Sequence, residues 1–340
     1  KGHEVMIYKG IDPSEKEEKV QVEKNLTIWY LPMKHLGAHG FMDCKYLDPQ
    51  LKALFCFGDQ QIFLPHVYRW CRRRRIPFVA YVGTAHSLDS NFKSKVMNAL
   101  FAAGTLRIYK KNPVLAKTSA AKEELRQLGV PHAVIAPVGL DTAVLKKNIP
   151  ADEKMRLRKE HGFEADDVIL CNVSRLSWEK RPLELIDLFL QVKGKKKFKL
   201  IIVGNGPLEE ELNEKIRKNG LEKEVKIYPN VPYEKMWEIY EMSDYYLNMN
   251  KGEIFGMAIM EAVYYKTSVA AIRALGPSVT LKDMKGHKLC ENDDEMAEWI
   301  TGPYPSEKDL QESSEKMAAT FTWDRCADAF LQASSEKSSR

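Results

Sequence analysis

In NKGEIFGMAIMEAVYYK, residues 250–266, Glu253 stands just before a Phe-Gly step, and Glu261 follows eight positions later inside what reads as a helix. If that helix begins near Gly256, its free N–H groups and positive dipole end can seat a phosphate. Glu253 then reaches past the phosphate to whatever is attached to it. Glu261 lies among Ala258, Ile259, Ala262 and Val263. A carboxylate in such surroundings needs a partner, and a ribose diol is a good one. The bland reading is a helix cap and a surface glutamate.

Other residues fall where parallel sheets bind ligands, at the carboxyl ends of strands. NVSRLSWEKRP carries Arg175 and Lys180 five residues apart, able to clamp a diphosphate by a fork and a point charge. Its alternative is a solvated basic loop. In IIVGNGPLEEEL, Gly204, Asn205 and Gly206 let the backbone approach a ligand, although any tight strand-to-helix turn favours glycine. Glu209 breaks the dinucleotide fingerprint there. His86, after VAYVGTA, is the histidine at a strand end in the first half; its bland reading is structural or simply exposed. Arg72 to Arg75 close a helix that also carries Tyr68 and Trp70. Four cations there complement the helix dipole or, as the sharper reading, touch anionic lipid headgroups. No Asp-x-Asp occurs, so no carboxylate pair presenting a divalent metal to a diphosphate is expected, and ENDDE at 291–295 reads as a solvated loop entering a helix.

The elements that must position these residues alternate between strands and helices. HEVMIY, LTIWYL, ALFCFG, PFVAYVG, TLRIYK and HAVIAPVG read as strands of a first half. QQIFLPHVYRWCRRRR reads as a helix with Phe63, Val67 and Trp70 on one face. After a charged linker near 142–160 the pattern restarts with VILCNVS, FKLIIVG, EVKIYP, DYYLNMN and SVAAI. FTWDRCADAFLQASS reads as a terminal helix before a disordered tail. That alternation predicts parallel α/β construction.

The chain of 340 residues is long for one core and supports two domains. Its 44% hydrophobic and 29% charged residues are those of a soluble globular protein. A net charge of +5 falls short of a nucleic-acid footprint. Six scattered cysteines without a C-x-x-C imply reduced thiols rather than zinc or disulfides. Neither a membrane-spanning run nor a signal peptide is visible, so a cytoplasmic location is expected. The sequence opens on KGHEVMIY, which reads as a helix end followed by a strand, so further residues are expected upstream.

As an ordered set, SRLSWEK, VGNGP, EIFGMAIME and TSVAAI, preceded by GHEV, GTAHS and PVGLD, resemble retaining glycosyltransferase family 4. The resemblance spans nearly the whole chain. It implies the GT-B fold: two Rossmann-like doubly wound domains facing across a cleft, with the C-terminal helix crossing back to the first. Residues 1–145 would form the acceptor-side domain without its first strand and helix, 146–322 the nucleotide-sugar domain, and 323–340 the terminal helix and tail. Arg175 and Lys180 would hold the donor diphosphate, assisted by the amides of Phe255, Gly256 and Met257. Glu261 would hold the nucleotide ribose and Glu253 the hydroxyls of the transferred sugar. His86 would sit near the reacting centre, Asn205 and Gly206 would line the donor pocket, and Asn230 and Val231 would lie along the base. Ser174 stands where the family usually has glycine, and MNKGE replaces a common PS-EG approach.

The resulting expectation is a retaining, metal-independent enzyme with no cofactor. It would move a hexose or N-acetylhexosamine from a nucleotide-diphosphate sugar, UDP before GDP, to a hydroxyl of a saccharide or lipid-linked acceptor in cell-surface glycan synthesis. Nucleic acid is not an expected partner; peripheral contact with an anionic membrane is. The alternatives are a nucleotide-sugar epimerase of related fold and a non-catalytic nucleotide-sugar-binding protein.

Overall fold

The structure is a computed structural model that describes residues 2–36, 39–59, 61–85 and 92–335. The chain divides into two units. The first comprises residues 1–117, 121–136 and 328–340; the second comprises 118–120 and 137–327.

Among the described residues the first unit holds three sheets. β1 (Val5–Ile11) runs parallel to β3 (Leu26–Pro32), against which β2 (Glu18–Glu23) is antiparallel. β4 (Lys34–Leu36) and β5 (His39–Phe41) form a short antiparallel ribbon. β6 (Leu54–Phe57), β7 (Phe78–Val82), β8 (Val114–Ala116) and β9 (Val134–Ile135) form a parallel sheet in that order. Helices α1 (Leu64–Arg74), α2 (Phe92–Ala103), α3 (Thr105–Tyr109) and α4 (Ser119–Gln127) connect them.

Two expectations are corrected here. TLRIYK has strand-like alternation, yet Thr105–Tyr109 is helical, with Thr105, Leu106, Ile108 and Tyr109 all buried. Burial on nearly every side overrides β propensity, and the strand comes later, at Val114–Ala116. In α1 the buried residues are Leu64, Val67 and Cys71, whereas Phe63 and Trp70 are half-buried. The Arg74 guanidinium covers the Trp70 ring at 4.6 Å, and Arg72 to Arg75 are exposed where the helix ends in a left-handed Arg75.

The second unit is one six-stranded parallel sheet. Its strands are β10 (Val168–Val173), β11 (Phe198–Val203), β12 (Val225–Tyr228), β13 (Tyr245–Asn248), β14 (Ser268–Ile272) and β15 (Lys288–Cys290), in the order β12-β11-β10-β13-β14-β15. Helices α5 (Glu153–Glu160), α6 (Pro182–Val192), α7 (Glu209–Lys218), α8 (Met236–Met242), α9 (Met257–Tyr264), α10 (Leu275–Thr280), α11 (Asp293–Thr301) and α12 (Glu307–Thr320) surround it. Alternate strand residues enter two different cores. Ile169, Cys171, Ile201 and Tyr246 join one; Leu170, Leu200, Ile202 and Leu247 join the other. Both faces are therefore covered, which is why the strands read as nearly unbroken apolar runs.

The expected linker near 142–160 instead contains α5, which packs on α8. Its Arg158 is buried and donates to Asp244 at 2.6 Å and to the Met242 carbonyl at 2.9 Å. α13 (Trp323–Ser335) starts in the second unit, and from Asp328 onward the chain groups with the first, where the Phe330 ring meets Phe55 at 4.7 Å.

Candidate functional site

The strand order of the second unit is 3-2-1-4-5-6 by succession along the chain, so the winding reverses between β10 and β13. Loops leaving two neighbouring strands there diverge and open a crevice at the sheet's carboxyl edge. The two strand ends are joined first. Asn172 Nδ2 donates to the Leu247 carbonyl at 2.8 Å, and Ser174 Oγ donates to Asn172 Oδ1 at 2.8 Å. Asn248 Oδ1 then accepts the Asn250 amide at 3.0 Å, and Asn250 Oδ1 accepts the Gly252 amide at 2.9 Å. These bonds bend the chain so that Glu253 points back at the β10 loop.

There Lys180 Nζ donates to Glu253 Oε2 at 2.9 Å, and Asn250 Nδ2 donates to the same oxygen at 3.1 Å. Burial works against the Glu253 charge, yet Lys180, Asn250 and Asn248 more than offset it and hold the carboxyl below its ordinary value. Arg175, by contrast, is exposed at the mouth of the same loop. Sequence reasoning passed over Arg181. Its backbone is left-handed (φ 56°), and its guanidinium forks onto Asp293 at 3.0 and 2.7 Å while reaching the Met249 carbonyl at 3.3 Å. One side chain thereby ties the Lys180 loop to the residue preceding Asn250 and to the first turn of α11. The available signal was a third cation after Glu-Lys; its partner lies 112 residues away.

Gly204 and Gly206 have a packing role on this side. A Cβ at Gly204 (φ 140°) would lie 1.9 Å from the Ser174 carbonyl oxygen, and one at Gly206 2.5 Å from that of Leu176. The clearance lets Leu176 donate to the Asn205 carbonyl at 2.9 Å and Leu208 to the Leu176 carbonyl at 3.0 Å. Asn205 is exposed, and its side chain donates to the Pro229 carbonyl at 3.0 Å, beside exposed Asn230 and half-buried Val231.

Gly256 caps α9 in the left-handed region (φ 86°), as its place before the helix predicts. Phe255 is buried edge-on to Phe321, Met257 is exposed, and the Gly276 amide holds the Glu253 carbonyl at 2.8 Å. Glu261 is only 8% exposed. Its Oε2 accepts from the buried Tyr240 hydroxyl at 2.8 Å and its Oε1 from Tyr233 at 3.4 Å. Burial raises its pKa, and the two phenols only partly oppose the rise. Glu261 forms part of the wall of a small pocket with Lys146, Tyr233, Trp237, Tyr240 and Tyr265. Neither tyrosine hydroxyl was anticipated; Tyr233 lies just before α8 and Tyr240 within it.

Lys180 and Glu253 thus come into direct contact, while Gly204, Asn205 and Gly206 bind the adjoining loops together. Glu261 occupies a separate pocket and bonds to neither Lys180 nor Glu253. His86 lies outside the described residues. Among the described residues no group of three histidine, cysteine, aspartate or glutamate side chains is arranged to hold a metal ion. The six cysteines are free thiols, and no described helix is long and apolar enough to cross a membrane.

Residues 153–316 match the family described as glycosyl transferases group 1. A D-inositol 3-phosphate glycosyltransferase of Mycobacterium avium (strain 104) is 26% identical over 297 residues, covering 77% of this chain and 65% of that protein. The chain spans between 59% and 65% of the first curated relatives it matches. Among solved structures, sucrose-phosphate synthase from Thermosynechococcus elongatus superposes with a TM-score of 0.73 at 15% identity, over 97% of this chain and 88% of that one. Anabaena HepE in complex with UDP and glucose gives 0.63 at 19% identity, over 80% and 74%. These likenesses establish the two-domain GT-B fold. The matched residues 153–316 include Lys180 and Glu253, so it is the unit carrying this crevice that matches the glycosyl transferases group 1.

Proposed function

We propose that the chain is a retaining, metal-independent glycosyltransferase. It moves a hexose or N-acetylhexosamine from a nucleotide-diphosphate sugar, UDP before GDP, to a hydroxyl of a saccharide or lipid-linked acceptor. The observation that carries this reading is the Lys180–Glu253–Asn250 constellation at the winding reversal, with the capped start of α9 beside it. A diphosphate entering there meets Lys180, the exposed Arg175 and the free amides following Gly256. Glu253, released from Lys180 as the phosphate takes that cation, accepts from sugar hydroxyls. Glu261 accepts from the ribose, with the Tyr233 hydroxyl giving way from its long contact.

The chemical barrier is departure of the nucleotide diphosphate while positive character grows at the anomeric carbon. Cations and amides fixed before the reaction stabilise the leaving group most at that moment. Acceptor deprotonation by the departing phosphate needs no protein nucleophile, which is why retention is part of the proposal. The UDP seen with HepE and the named activity of the mycobacterial relative support the donor and reaction classes.

A thermal-shift panel of UDP-, GDP- and ADP-sugars tests this directly. Stabilisation by UDP-sugars, followed by slow donor hydrolysis and by transfer once an acceptor is supplied, is expected. Saturable binding with neither hydrolysis nor transfer identifies a sensor, and acceptor-independent conversion of the sugar identifies an epimerase.

A further inference from the structure

The first unit carries its own charged and aromatic cluster at the carboxyl ends of β6, β7 and β8. Asp59 follows β6 with φ 25°, a conformation a residue with a side chain adopts only when its surroundings impose it. They do. Its carbonyl accepts from Tyr109 Oη at 3.0 Å, and its Oδ1 accepts the Gly83 amide at 2.5 Å. Glycines clear the space on both sides. A Cβ at Gly58 would lie 2.2 Å from Tyr109 Oη, and one at Gly83 2.9 Å from Lys117 Cδ.

Lys117, just after β8, points its ammonium at Asp59 but reaches both oxygens only at 3.5 Å. Other lysine–carboxylate pairs here include Lys197–Asp166 at 2.8 Å and Lys193–Glu224 at 3.5 Å, and the Lys117–Asp59 contact matches the looser one. An ammonium has three donors, and this one is only 19% exposed, set 5.7 Å from the Phe57 ring and 5.4 Å from that of Tyr81. It has donor capacity left for a further oxygen. Phe57 itself is 62% exposed at the same strand end, an apolar plate beside the pair. The pair is neutral overall, and Glu124 adds a second carboxylate at this edge by accepting the Ala85 amide at 2.8 Å. An anion is disfavoured there; a ligand of hydroxyl groups, each able to donate and accept, is matched.

We propose that Phe57, Asp59 and Lys117 bind a neutral saccharide. Lys117 donates to one hydroxyl, Asp59 accepts from its neighbour, and the ring's apolar face lies on Phe57. The inference rests on the glycosyl-transfer reading and names the acceptor class that this unit takes.

The test is saturation-transfer NMR on the full chain in excess UDP, with glucose, N-acetylglucosamine and glucose 6-phosphate as probes. Neutral sugars are expected to respond more strongly than the phosphate. The response should fall about tenfold in Asp59→Asn and Lys117→Met, the loss of one charge-assisted hydrogen bond. Phe57→Ala, at a position 62% exposed, should weaken it as well. An undiminished response in these variants, a preference for the phosphate, or silence from all three probes overturns the proposal. Calorimetry with UDP on the same samples separates the two readings. Retained UDP affinity in the variants confirms that they are folded and leaves the donor site intact. Absent UDP binding by the unsubstituted chain overturns the donor reading alone, and the sugar comparison is then made without UDP.

Discussion

Of the two glutamates that bracket the start of α9, Glu253 is half-buried and Glu261 buried, and their surroundings act on them in opposite directions. Glu253 sits against Lys180 and Asn250, which hold it charged; Glu261 sits against two phenols, which donate to it without a compensating cation. One carboxylate is neutralised in advance and the other is left costly. On the proposed reading, the first exchanges a protein cation for a ligand, whereas the second gains hydroxyl donors beyond the two phenols.

Variants can break or sharpen this contrast. The largest effect is expected from Arg175→Ala combined with Lys180→Ala. Losing two charge-assisted contacts should weaken UDP binding roughly 10²-fold, measured by calorimetry. Glu253→Ala should keep UDP affinity within about threefold while transfer falls on the order of 10- to 100-fold, because its partner is the sugar and not the nucleotide. Near-normal turnover in both would dissolve the assignment.

Arg181 comes next. Arg181→Ala loses the fork and keeps the left-handed strain, whereas Arg181→Gly loses the fork and relieves it. Both should lower the melting temperature and UDP affinity, with glycine the less harmful by about 1 kcal/mol. Equal losses would mean that the backbone conformation matters little.

The smallest effect is in pH dependence, and its sign differs between the glutamates. Glu253 has a lowered pKa, so its charge stabilises the fold above the ordinary carboxylate value and this contribution fades as pH falls through its folded value. Glu261 has a raised pKa, so the fold loses stability as pH rises from the ordinary value through the raised one. Glu253→Gln should therefore destabilise at neutral pH and Glu261→Gln should stabilise, both effects shrinking in acid. Melting temperatures across pH measure this, and Glu261→Gln should still lose UDP affinity. Changes of the same sign would erase the distinction.

The second unit was largely legible because its strands are fully buried runs and its ligand loops begin with punctuating residues. VILCNVS, FKLIIVG and SVAAI need no tertiary information to be read, and Gly256 announces the start of α9. TLRIYK misled because its alternation is also compatible with a short helix buried on several sides. Arg181 and Tyr240 were invisible for another reason. Each acts through a partner distant in sequence, Asp293 and Glu261 respectively, and nothing local distinguishes a cation or phenol that has such a partner from one that does not. The Asp59 and Lys117 pair is hidden in the same way: two unremarkable residues 58 positions apart become a cluster only once β6 and β8 flank β7.

A crystal structure of the chain with UDP tests the central claim most directly. The account places the diphosphate against Lys180, Arg175 and the amides after Gly256, and the ribose on Glu261 with Tyr233 displaced. UDP bound away from the β10 and β13 loops, or bound there with the Lys180–Glu253 pair and the Tyr233–Glu261 contact both untouched, would contradict it.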